Sequence, residues 1–68
     1  MNGREFIRRA KRYAASNGLN FRFERGKGKG SHDQLYVGSR RTTVKRSELS
    51  KGLLRNMIRD LGIEKEDF

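Results

Sequence analysis

A single histidine, His32, closes the string Gly26-Lys27-Gly28-Lys29-Gly30-Ser31-His32, where a glycine- and lysine-rich loop runs into a segment that reads as a β-strand. An imidazole titrates near neutrality, so it can take and return a proton. Beside several cations, that capacity points to acid/base chemistry on a phosphate backbone. The sequence holds no cysteine, which removes thiol nucleophiles, disulfides and cysteine-based zinc sites. The competing explanation is a surface histidine at a strand start.

RNA cleavage by transesterification needs a proton acceptor, a proton donor and positive charge around the crowded phosphorane, and His32 with Lys27 and Lys29 meets those requirements. The backbone amides of Gly28, Gly30 and Ser31 offer an anion-binding nest, although the spacing is not that of a nucleotide-hydrolase phosphate loop. Other chemistries are poorly supplied. Glu24, Asp33 and Glu48 are the mid-chain acids, and Asp33 falls on the strand face opposite His32. With one histidine, a metal site would have to be mostly carboxylate, which argues for a mechanism without metal or other cofactor. Ser31 adjoins His32 in sequence and lacks an elbow motif, so a serine triad is not indicated.

The charge identifies a class of partner. Seventeen Lys and Arg against eight Asp and Glu leave a formal charge of +9 over 68 residues. A polyanion is the natural counterpart, and nucleic acid is favoured over membrane because neither apolar segment is long enough to span a bilayer. The absence of a signal-peptide pattern points to the cytoplasm. An acidic protein covering the basic surface satisfies the same electrostatics. The length suits one small domain over residues 1–68 with a single modest core.

The elements that must position His32 follow from periodicity. Asn2 with Glu5 forms a capping-box-like start for a helix whose Phe6, Ile7, Ala10, Tyr13 and Ala14 make an apolar stripe, ending at Ser16-Asn17-Gly18. Leu19, Phe21 and Phe23 alternate with polar residues as a first strand. After the glycine loop, Leu35 and Val37 share one face of a second strand, leaving His32, Gln34 and Tyr36 on the other. A turn at Gly38-Ser39 leads to a third strand over Arg40-Arg41-Thr42-Thr43-Val44-Lys45-Arg46. Ser50 caps a closing helix with Leu53, Leu54, Met57, Ile58 and Leu61 as its stripe and Gly62 as its stop. Residues 63–68 form an acidic tail in which Phe68 either tucks back or stays mobile. The predicted fold is an α+β two-layer sandwich, α-β-β-β-α, with two helices on one face of a three-stranded antiparallel sheet. The other face stays open to solvent. Arg40, Arg41, Lys45 and Arg46 then read as an electrostatic footprint beside the loop, and Tyr36 either covers the sheet or stacks on a base.

These stretches resemble the HicA family of toxin-antitoxin ribonucleases, small basic mRNA interferases with a fold like that of double-stranded-RNA-binding domains. The resemblance rests on Gly30-Ser31-His32 at the start of the second strand, Thr42-Thr43-Val44 in the third, and the run from Ser47-Glu48-Leu49-Ser50-Lys51-Gly52-Leu53-Leu54 to Leu61-Gly62-Ile63. It implies that His32 is the catalytic residue, that mRNA is the substrate, and that a HicB-type antitoxin protein covers His32 or the cleft around it. The chain departs from the family pattern in its Gly26-Lys27-Gly28-Lys29 run and in Asp33, where a second histidine or another polar residue is common. The alternative reading is a non-catalytic RNA-binding module of the same fold, against which Ser50-Lys51-Gly52 supplies one lysine where a duplex-binding domain opens its last helix with a cluster.

Overall fold

In the computed structural model, which describes residues 1–26, 32–64 and 68, the chain runs α1 (Gly3–Ser16), β1 (Phe21–Glu24), β2 (His32–Val37), β3 (Arg40–Lys45) and α2 (Lys51–Leu61). The strands form one antiparallel sheet in the order β1-β2-β3. Phe6, Ala10 and Ala14 of α1 and Met57 and Leu61 of α2 bury with Leu35, Val37 and Val44 of the sheet in one core. Both helices therefore lie on one face, and the two-layer α+β order read from the sequence is the order found. Each large apolar side chain removed from water in this way contributes about 1.5–3 kcal/mol. No helix among the described residues is long and apolar enough to cross a membrane.

Local signals set the helix ends. The Asn2 side chain accepts a hydrogen bond from the Glu5 amide at 2.9 Å, and the Ser50 hydroxyl accepts from the Leu53 amide at 3.1 Å. Gly62 closes α2 in the left-handed region at φ 68°, and the Ile63 amide returns to the Ile58 carbonyl at 3.1 Å, satisfying a carbonyl of the last turn. Gly3 answers a different need. A Cβ there would run into the Lys45 carbonyl, so only glycine lets the start of α1 approach the end of β3. The same junction is tied by Gly3 N–H donating to the Ser47 carbonyl at 3.1 Å and Leu49 N–H to the Met1 carbonyl at 2.9 Å.

The structure differs from the periodicity in two places. Leu19 is 42% exposed and precedes β1, because its amide donates to the Ala14 carbonyl at 2.8 Å and so finishes the helix instead of joining the ladder. On α2 only Met57 and Leu61 are fully buried; Leu53, Leu54 and Ile58 are half-buried. Of the two alternatives for Phe68, tucking back is the one found: its ring lies 4.8 Å from that of Phe6 and its carbonyl accepts from Arg9 Nη1 at 3.2 Å.

Candidate functional site

Strand alternation and register build the open face of the sheet. β2 buries Asp33, Leu35 and Val37 and turns His32, Gln34 and Tyr36 outward; β3 buries Thr42 and Val44 and turns out Arg41, Thr43 and Lys45. Cross-strand pairing then sorts these residues into rows: Arg22, Tyr36 and Arg41; Glu24, Gln34 and Thr43; His32 and Lys45. Directly opposed side chains have Cβ atoms about 4.5–5.5 Å apart. Half-buried His32 is thus placed opposite exposed Lys45 on the open face, an imidazole beside a cation.

The rows are ordered by their own contacts. Tyr36 donates through its hydroxyl to Glu24 Oε1 at 3.0 Å, and the Arg22 guanidinium carbon lies 4.3 Å from the centre of the Tyr36 ring. Gln34 Nε2 donates to Thr43 Oγ1 at 2.9 Å. Over this part of the face lies a shallow depression of about 520 Å³ lined by Glu24, Gln34, Tyr36, Arg41, Thr42, Thr43 and Asp60.

The cations of β3 and Arg46, which directly follows it, divide between the two faces. Arg41 and Lys45 stand on the open face, whereas Arg40 and Arg46 have partners on the helix side. Arg46 forms a two-pronged pair with Asp33, Nε to Oδ2 and Nη2 to Oδ1 each at 2.9 Å, and Gly26 N–H donates to Asp33 Oδ1 at 2.7 Å. The Arg46 bond holds the Asp33 carboxyl down at about 2 although burial pushes it upward, with the Gly26 amide adding to the effect. Arg40 Nε donates to the Asp60 carbonyl at 3.0 Å at the end of α2, and Thr42 Oγ1 donates to Asp60 Oδ2 at 3.0 Å. A cation there complements the negative end of the helix.

Of the sequence-derived site residues, the fold brings together His32, Tyr36, Arg41 and Lys45, and gives Arg40 and Arg46 protein acceptors elsewhere. Lys27, Lys29 and Ser31, with the amides of Gly28 and Gly30, lie outside the described residues. Arg22, Glu24 and Thr43 also belong to the open face and were not singled out from the sequence. The signal was present: period-two alternation applied to β1 and β3 assigns them, as it separates Arg40 from Arg41 and Lys45 from Arg46. Asp33, one of the departures from the HicA pattern, faces the helices and has its charge matched by Arg46, so its contribution is to anchor the strand that carries His32.

The chain matches no family model, no curated protein and no solved structure.

Proposed function

We propose that this protein is a small endoribonuclease of the HicA toxin kind, cleaving mRNA through acid/base catalysis by His32 and held inactive by a HicB-type antitoxin. The observation that carries the reading is the register pairing of His32 with Lys45 on an open face that also presents Arg41 and Tyr36. In the reaction the ribose 2′-oxygen attacks the adjacent phosphorus and the bond to the 5′-oxygen breaks, leaving a 2′,3′-cyclic phosphate and a 5′-hydroxyl. His32 either accepts the 2′-hydroxyl proton or donates one to the departing oxygen, with water completing the other transfer. Lys45 stabilises the charge that accumulates on the phosphorane oxygens. The chemistry asks nothing of a metal or cofactor, and the antitoxin is read as an acidic protein covering the His32 face.

His32→Ala should lower cleavage of a single-stranded RNA by about 10²–10⁴-fold, the usual contribution of a positioned acid or base, in a variant that circular dichroism shows to be folded. A rigorously purified variant that cleaves as fast as the parent overturns the assignment. Cleavage abolished by a chelator and restored by a divalent ion overturns the metal-free mechanism while leaving the substrate class in place.

A further inference from the structure

Building on the ribonuclease reading, we infer that the depression over Glu24, Gln34, Tyr36, Arg41 and Thr43 is a nucleobase subsite that receives one base of the single-stranded substrate, a few nucleotides from the cleaved bond. Tyr36 and His32 lie on the same face of β2, four residues apart, or about 13 Å at ~3.3 Å per residue. That separation is too long for both to act on one nucleotide. It suits a strand of RNA laid along β2 with its scissile phosphate at the His32 and Lys45 end.

The Tyr36 ring is prepared for stacking. Its hydroxyl is tethered to Glu24, and Arg22, which does not line the depression, covers it from the β1 side. A ring already fixed in place loses little freedom when a base is added as the next layer. The lining also distinguishes a base from a phosphate. Glu24 and Asp60 put carboxylates on the lining, each already accepting one hydroxyl, which disfavours a phosphate there, and Gln34, whose Nε2 donates to Thr43 Oγ1, adds the accepting capacity of its carbonyl oxygen. Such a set of acceptors calls for donors on the base edge, so the amino-bearing bases adenine, cytosine and guanine are favoured over uracil. Arg41, directly across from Tyr36, is placed for the phosphate of the same nucleotide.

The test uses the full chain carrying His32→Ala, so that RNA is bound and not cut, with fluorescent oligo(A), oligo(C), oligo(U) and a backbone-matched abasic oligonucleotide as probes. Oligo(A) and oligo(C) should bind more tightly than oligo(U), and all three more tightly than the abasic probe. Adding Tyr36→Leu, which keeps apolar bulk on the sheet, should weaken oligo(A) binding by about 5- to 150-fold, the effect of losing one stacked base, and leave the abasic probe unaffected. Tyr36→Phe, which keeps the stacking ring and loses only its tether to Glu24, should retain most of the oligo(A) affinity. Equal weakening of oligo(A) and abasic binding, or no weakening of either, overturns the subsite. Cleavage by the wild-type chain in either case leaves the ribonuclease reading standing, whereas absence of cleavage removes both.

Discussion

His32 and Asp33 are neighbours in the chain and stand on opposite faces of the sheet, and the two faces treat charge differently. On the helix face Asp33 is 1% exposed and fully engaged by Arg46 and the Gly26 amide. On the open face Arg41 and Lys45 pair with no acid among the described residues, in a chain with a formal charge of +9. A buried carboxylate is tolerable only when its charge is matched, so the helix face selects arginines as structural partners. The wet face has no such requirement and leaves Arg41 and Lys45 exposed to solvent. Equal-looking basic residues in and just after β3 thereby meet different surroundings.

The sharpest way to break this contrast is to remove Asp33. Asp33→Ala deletes the two-pronged pair and the Gly26 hydrogen bond and should cost about 2–3 kcal/mol of stability, read from urea denaturation, because charge-assisted bonds at a buried acceptor are among the stronger ones. A change within experimental error would mean the pair is incidental to the fold.

Acid titration sharpens the same point without a large structural change. The Asp33 carboxyl is lowered from 3.8 to about 2 in the folded chain, so its contribution is complete above about pH 4 and is lost as pH falls toward 2. Wild-type stability should drop across that window, and Asp33→Asn should flatten that part of the profile; parallel profiles would assign acid sensitivity to other carboxylates.

The smallest effect on stability is expected on the open face. Lys45→Ala should shift stability by less than about 0.5 kcal/mol, as for surface positions without buried partners. It should instead reduce the dependence of log affinity for single-stranded RNA on log salt by about 0.7, the value of one phosphate contact. An unchanged salt slope would take Lys45 out of the RNA path, and a large stability loss would mean the two faces are not separable in this way.

Much of the architecture was legible along the chain because it depends on short-range rules. Caps at Asn2 and Ser50, the stop at Gly62 and the alternation that turns His32, Gln34 and Tyr36 outward are all properties of a few consecutive residues. Leu19 was harder to assign, since its apolar side chain fits the strand pattern while its amide completes the helix. Gly3 gave no local sign of its importance; its constraint comes from the Lys45 carbonyl, which the chain reaches only after three strands. For the site, His32 and Tyr36 stood out by residue type and alternation could place Arg22 on the open face, whereas its position over the Tyr36 ring came only with the register.

What the sequence determined by itself was therefore the set of elements, their order and the two-sidedness of each strand, because period and capping are local. Which arginine meets Asp33, which one closes α2, and that Lys45 lies across from His32 were decided by tertiary structure. Those pairings join residues from 13 to 20 positions apart, and only the hydrogen-bonded register of the strands and the packing of α2 on the sheet bring them within reach.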